Sequence, residues 1–217
     1  MTFSEENYLK TIYHITSFSG VEVSTNAIAE KMETKASSVT DMLRKLAEKE
    51  LIVYKKYQGV LLTEKGSLLA KMIVRKHRLW EVFLVDKLQF PWDEVHDIAE
   101  QLEHIKSEKL INRLDDFLGR PTEDPHGDPI PDAAGKINKV EKLILADLHE
   151  NQTGICIGVK DSSTQFLKYL DKNQITLGSK IQVISKEEFD LSLKIKVEEK
   201  TVTVSNMIAN NLFVKMV

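Results

Sequence analysis

Apolar residues recur along the chain at two different periods, and the change from one to the other divides it. Between Ser4 and Ser19, Tyr8, Leu9, Ile12, Tyr13 and Ile15 fall at helical spacing. Ser4 reads as the N-cap, Glu5 and Glu6 sit where the helix dipole favours carboxylates, and Gly20 reads as the stop. Ser24 opens a short helix ending near Met32. After a tight turn, a third helix is predicted from about Ser37 to Lys49, with Val39, Leu43 and Leu46 inward. Leu51 to Thr63 then gives two apolar or aromatic runs around a turn containing Gln58-Gly59, the pattern of a β-hairpin. Helix-turn-helix plus hairpin is a winged helix.

A long helix is predicted from Ser67 to about Leu88, with Leu69, Met72, Ile73, Leu79, Val82 and Phe83 spaced for burial. Phe90-Pro91-Trp92 ends it. The next helix runs from about Asp93 to His104, and another from Glu108 to Leu118. Trp80, Phe83, Leu110, Ile111 and Leu114 offer more apolar surface than so small a helical unit buries alone, which points to a dimer. Pro121 to Pro131 is rich in Pro and Gly and reads as extended loop, and residues 136–150 as connector or first strand.

From Gly154 the period changes. Gly154–Val159, Lys180–Ser185, Leu191–Val197 and Lys200–Ser205 read as short strands, with a helix at Ser163–Leu170. The expected fold is mainly α with a small β part. It comprises a winged helix-turn-helix domain over 1–72, a helical domain over 73–135, a linker over 136–152 and a small β-barrel-like domain over 153–217.

Composition narrows the function. The 217 residues are 42% apolar and 29% charged, with net charge −3, enough for one large core or several small ones. No apolar run approaches the ~20 residues of a membrane span, and the acidic start Met-Thr-Phe-Ser-Glu-Glu does not read as a signal peptide. The single cysteine, Cys156, excludes an internal disulfide framework and fits the cytoplasm; between two isoleucines it reads as a small buried hydrophobe. The mild net charge conceals a segregation. Residues 31–76 carry eleven basic against five acidic side chains, whereas 86–132 carry five against thirteen. A basic block beside an acidic one suggests polyanion contact in the first and cation binding in the second.

In the basic block, Lys35, Ser37, Ser38, Thr40, Asp41, Arg44 and Lys45 are candidates to face double-stranded DNA from the second helix of the motif. Lys55, Lys56 and Tyr57 would lie on the wing near the sugar-phosphate backbone. In the acidic block, His96, Glu100, Glu103 and His104 fall within an arc of about 100° on an ideal helix. A solvated charged face is the plain alternative, but the stretch mixes nitrogen and oxygen donors suited to a divalent cation. His77 and Glu81, one turn apart on the long helix, can also meet a single ion. His and Glu clusters build metallohydrolases too. However, nothing marks a pocket for a small organic substrate, and no Gly-rich phosphate loop, Ser-His-Asp or Cys-His arrangement is readable. A winged-helix regulator answering to an organic ligand or a partner is a further alternative.

Four separated motifs, in order, resemble the DtxR/MntR metal-dependent transcriptional repressors: Asn7-Tyr-Leu-Lys-Thr-Ile-Tyr13, Arg75-Lys-His-Arg-Leu79, Val95-His-Asp97 with Glu103-His104, and His126-Gly-Asp-Pro-Ile-Pro131. The resemblance spans the whole chain and implies a homodimeric repressor of palindromic operators, with metal-uptake genes as targets. It also implies a C-terminal SH3-like, FeoA-like domain, and up to two Mn²⁺ or Fe²⁺ ions per subunit. By the same resemblance a primary metal site falls on Asn7, Glu100, Glu103 and His104, and an ancillary one on His77, Glu81 and His96. Gln165 matches a further ancillary position, while another falls at Ser162 beside Asp161. A carboxylate at Glu100, where the iron-responsive branch carries Cys, favours harder ions and hence Mn²⁺. Asn7 replaces the family's usual Met or Asp. Lys10 stands where compact manganese regulators carry a liganding Glu, which argues against their closely spaced metal pair.

Overall fold

The computed structural model describes residues 1–19, 22–55, 59–138 and 141–217. Its contacts divide into two compact units. The first comprises Met1–His77, Glu100–Leu114 and Pro131–Ile137, and the second Arg78–Ala99, Asp115–Ile130 and Asn138–Val217.

In the first unit, α1 (Phe3–Ser19), α2 (Thr25–Lys31) and α3 (Ala36–Glu48) precede a hairpin of β1 (Ile52–Lys55) and β2 (Gly59–Leu62). Helix α1 begins before the residue expected to cap it. Thr2 Oγ1 accepts from Glu5 N at 3.3 Å while Glu5 Oε2 accepts from Thr2 N at 3.0 Å, a reciprocal capping box that makes Thr2, not Ser4, the cap. Ser24 caps α2 as expected, accepting from Ala27 N. Tyr8, Leu9, Ile12, Ile28, Val39, Leu43, Leu46, Ile52 and Val60 form one buried cluster, so the predicted faces of all three helices meet the hairpin. The wing residues Lys56, Tyr57 and Gln58, like the helix stop Gly20, lie outside the described residues.

Helix α4 (Glu64–Asp86) starts three residues earlier than its periodicity indicates, because Thr63 Oγ1 accepts from Gly66 N and extends the N-terminus. Gly66 has a packing reason: a Cβ there would lie 1.8 Å from the carbonyl oxygen of Leu51. Helix α5 (Val95–Leu102) is shorter than predicted and stops before Glu103 and His104, which lie in the following turn. Helix α6 (Glu108–Phe117) follows. Of the residues expected to offer surplus apolar surface, Ile111 and Leu114 are buried within the subunit itself, whereas Leu110 is exposed; Phe117, outside that set, is exposed too. Phe117 packs 6.5 Å from Phe83, which meets Trp80 edge-on.

The second unit is centred on an antiparallel sheet. Strands β3 (Leu143–Ile144), β4 (Thr153–Val159), β5 (Lys180–Lys186), β6 (Leu193–Val197), β7 (Lys200–Val204) and β8 (Leu212–Met216) are ordered β3-β8-β4-β5-β6-β7. Among the described residues the end strands β3 and β7 do not pair with each other. Helices α7 (Thr164–Lys172) and α8 (Asn206–Ala209) and a 3₁₀ turn at Leu145–Asp147 complete it. Leu145, Leu167, Leu170, Ile181, Ile195, Leu212 and Val214 are among its fully buried core. No helix of the described residues is long and apolar enough to cross a membrane.

Candidate metal centres and nucleic-acid interface

Helix α1 aims three polar side chains in one direction. Glu6 and Lys10 are four residues apart and Asn7 and Lys10 three, so all share a face. The Lys10 ammonium pairs with Glu100 and lies 2.7 Å from the carboxylate of Glu103, which is wholly buried. His77 Nδ1, from α4, lies 2.7 Å from Glu103 Oε2. His77, Glu100 and Glu103 each place a donor atom within 4.8 Å of the others.

His104 is positioned from two sides. Phe3 stacks on its ring at 4.5 Å between centroids, and its Nδ1 lies 2.6 Å from Glu6 Oε2. Its Nε2 is thereby turned toward the cluster, 3.9 Å from Glu103 Oε1. A carboxylate held on one imidazole nitrogen fixes the ring and leaves the other nitrogen for a metal. Lys76 completes the surroundings: burial pulls its ammonium below the ordinary lysine value, opposed by the charges of Glu6 and Glu103.

Asn7 supplies a direct test of whether a cation fits. Its Oδ1 is buried and has no hydrogen-bond partner among the described residues. Such an acceptor costs ~1–3 kcal/mol when left unsatisfied. A neutral amide oxygen, carboxylates and imidazole nitrogens together form a donor set suited to an ion such as Mn²⁺ or Fe²⁺.

A second cluster lies in the other unit. Glu81, Asp124 and His126 are all buried, again with one donor atom each within 4.8 Å of the others. Glu81 Oε2 is 3.7 Å from His126 Nδ1, and its Oε1 is 3.4 Å from His96 Nδ1 on α5. His96 itself is half exposed. His126 Nε2 donates to the carbonyl of Trp92 at 2.9 Å, and the Trp92 ring stacks beside it. Asp124 Oδ1 accepts from the backbone of His126 and Asp128, at 2.8 and 2.9 Å, which curls the loop around it. Arg78 braces the loop through Asp124, Asp128 and the carbonyl of Pro129. Gly127 has φ +83, and a Cβ on it would lie 2.1 Å from the carbonyl oxygen of Ile157.

The electrostatics match a site short of positive charge. Burial and the Glu81 charge push the Asp124 carboxyl up to about 7, against the pull of Arg78. Burial lowers His126, but its hydrogen bond to Glu81 and the charges of Glu81 and Asp124 lift it to about 9.

The predicted site residues fall among these neighbours as follows. His77 lies with Glu100 and Glu103, while Glu81 lies with both His96 and His126. Gln165 is exposed on the first turn of α7, and Asp161 accepts from the backbone of Ser163. Glu6, Asp124, His126 and Arg78 went unassigned in the sequence. His126 could have been found from the His126-Gly-Asp motif, but nothing local joins it to Glu81.

On α3, Ser37, Ser38, Asp41, Arg44 and Lys45 are exposed, as is Lys35 at its N-cap, whose side chain makes no capping bond. Arg44 Nη1 reaches Asp41 at 3.4 Å across solvent. Thr40 is half-buried and its hydroxyl donates to the carbonyl of Ala36. Lys55 is exposed at the end of β1. Lys56 and Tyr57 fall outside the described residues.

Comparison with known proteins divides the chain into three matched segments. Residues 1–60 match "Iron dependent repressor, N-terminal DNA binding domain", residues 63–132 "Iron dependent repressor, metal binding and dimerisation domain", and residues 144–216 "FeoA domain". The iron-dependent repressor IdeR of Mycobacterium tuberculosis is 39% identical over 126 residues, 58% of this chain and 54% of that protein. The chain thus spans about half the length of these curated relatives. The HTH-type transcriptional regulator MntR of Bacillus pumilus is 36% identical over 54% of this chain and 80% of that protein. Among solved structures, a manganese-dependent transcriptional repressor in complex with manganese superposes with TM-score 0.88 and 36% identity, covering 98% of this chain and 100% of that one. The manganese regulator SloR gives 0.77 and 33%, with both chains fully covered.

Proposed function

Because the chain belongs to the iron-dependent repressor family, we propose that it is a homodimeric transcriptional repressor whose binding to operator DNA is switched on by divalent cations, Mn²⁺ foremost and Fe²⁺ second. One observation carries this reading. The cluster of His77, Glu100 and Glu103 lies in the same compact unit as the winged helix, and Lys10, which engages Glu100 and Glu103, shares its α1 face with Asn7, whose Oδ1 is buried without a hydrogen-bond partner among the described residues.

Asn7, Glu100, Glu103 and His104, with His77, would hold the regulatory ion, and Glu81, Asp124 and His126, with His96, a second one. A bound cation supplies the positive charge that offsets the mutual repulsion of Glu6, Glu100 and Glu103. Glu6 keeps His104 Nε2 directed at the cluster. Asn7 carries the consequence to DNA, since it belongs to α1, whose apolar face packs with α3 in one core. Ligation through Asn7 changes how α1 is held against the segment 100–104, and with it the placement of the recognition helix. Moving an equilibrium from 1:99 to 99:1 takes ~5.5 kcal/mol of differential affinity, within reach of ligation by several charged donors.

The preference for Mn²⁺ rests on the oxygen-rich donor set and the absence of a thiolate from either cluster, with selectivity arising from geometry and availability rather than intrinsic affinity order. Ser37, Ser38, Arg44 and Lys45 on α3, with Lys35 ahead of it and Lys55 on the wing, would contact phosphates and base edges. A two-fold dimer then reads a pseudo-palindrome with half-sites one or more helical turns apart. The match of residues 1–60 and 63–132 to a repressor's DNA-binding and metal-binding domains favours this reading over a metallohydrolase or an organic effector. The test is DNA binding of the chelated protein across a series of metals at controlled free concentration, where Mn²⁺ is expected to restore binding. Equal affinity with and without metal would contradict the reading.

A further inference from the structure

We infer that Lys10 is a tethered competing cation: its ammonium occupies the carboxylates of the regulatory site when no metal is bound, and so sets the metal concentration at which the protein responds. This rests on the reading of Glu100 and Glu103 as ligands. Lys10 is only 8% exposed although it is a lysine, and its Nζ engages both carboxylates at once. Lysine is almost never buried to this degree without a charge to meet. Here it meets two of the three residues of the donor cluster, Glu100 and Glu103, the third being His77.

Two consequences follow from that position. First, an incoming divalent cation and the Lys10 ammonium require the same carboxylate oxygens, so binding of one displaces the other. Such competition is a linkage between two ligands, one of which is covalently attached at fixed effective concentration. Second, the ammonium keeps the metal-free cluster from repelling itself apart, so the apo protein remains folded with its ligands close together. Lys10 lies on the same α1 face as Asn7. Its displacement therefore exchanges a contact of α1 with the segment 100–104 for ligation through Asn7, and the regulatory ion changes how α1 is held rather than adding a contact to an unchanged site.

The experiment uses the full chain, stripped with chelator and titrated with Mn²⁺ in a calorimeter, as wild type and as Lys10→Gln, Lys10→Met and Lys10→Arg. Thermal melts are recorded with and without the ion. Lys10→Gln and Lys10→Met are expected to lower the Mn²⁺ concentration that half-fills the Glu103-dependent site by roughly tenfold. Lys10→Arg should stay near wild type, and the Glu81–Asp124–His126 site should be unchanged. In the melts, the neutral variants should lose more stability in the chelated form than in the loaded form. Unchanged or weakened Mn²⁺ affinity in both neutral variants overturns the inference. An equal fall in melting temperature of both forms with unchanged affinity marks a merely structural lysine and overturns it too. Should Glu103→Gln bind as many ions as wild type, the ligand assignment itself fails, separately from any effect of Lys10, and the inference falls with it.

Discussion

His77 Nδ1 lies 2.7 Å from Glu103 Oε2, which joins the middle of α4 to the turn beyond α5 through a carboxylate wholly removed from solvent. A buried carboxylate so engaged belongs either to a structural ion pair or to a ligand set, and two substitutions distinguish them. Glu103→Gln keeps the shape and is expected to leave the fold and dimer intact while removing one bound ion per subunit, as counted by metal analysis after dialysis. His77→Ala should weaken that ion by about 10–100-fold. Retention of both ions by both variants would leave the pair purely structural.

The second cluster should behave independently. His126→Ala or Glu81→Gln is expected to abolish one calorimetric binding event and leave the Glu103-dependent event in place. If instead both events vanish in either variant, the clusters form one site.

Arg44 and Lys45 are exposed on α3, where Arg44 pairs with Asp41. Arg44→Ala should weaken operator binding by ~1–3 kcal/mol if Arg44 reads a base edge. If it meets phosphate alone, the slope of affinity against salt should fall by about one. Mn²⁺ affinity should not change in either case, which a titration without DNA would verify.

Gly127 sits at φ +83, and a Cβ added there would lie 2.1 Å from the Ile157 carbonyl oxygen. Gly127→Ala is expected to cost ~1–3 kcal/mol or more in urea unfolding, since both the conformation and the space exclude a Cβ. Because the same loop carries Asp124 and His126, it should also loosen the second ion.

Burial raises the Cys156 thiol to about 11, against a backbone hydrogen bond that acts the other way. A neutral thiol held this way contributes stability below its ordinary value of 9.0, and the contribution is lost as pH climbs through about 11. Iodoacetamide at pH 8 should therefore modify Cys156 slowly in the native protein and fast in urea. Fast native alkylation would contradict its burial.

The winged helix was legible because its information is local. Val39, Leu43 and Leu46 repeat on one helical face and all three are fully buried. The hairpin follows from two apolar runs about a turn. The ligand-rich stretch 96–104 was legible in composition, but its division into two groups came from the resemblance and not from helix geometry. A continuous helix places four ligands together, whereas the actual helix stops at Leu102. Beyond it, Glu103 and His104 take partners from α1 and α4 that no short-range pattern encodes. Glu6 and Lys10 illustrate the same limit: at four residues' spacing they resemble an ordinary surface pair, yet each is buried against a residue more than ninety positions away. Strand β8 was missed for a related reason. It is defined by pairing to β4, Gly154 opposite Met216 through Val159 opposite Leu212, and only its first three residues are shielded from solvent.

Cation-dependent recognition of DNA is tested most directly by exposing the full chain to fragments of its source genome, with Mn²⁺ or with chelator, and sequencing what it retains. With Mn²⁺, a small set of fragments sharing an inverted repeat should be recovered, and chelation should release them. Recovery of the same set at the same protein concentration in chelator would contradict metal-switched repression.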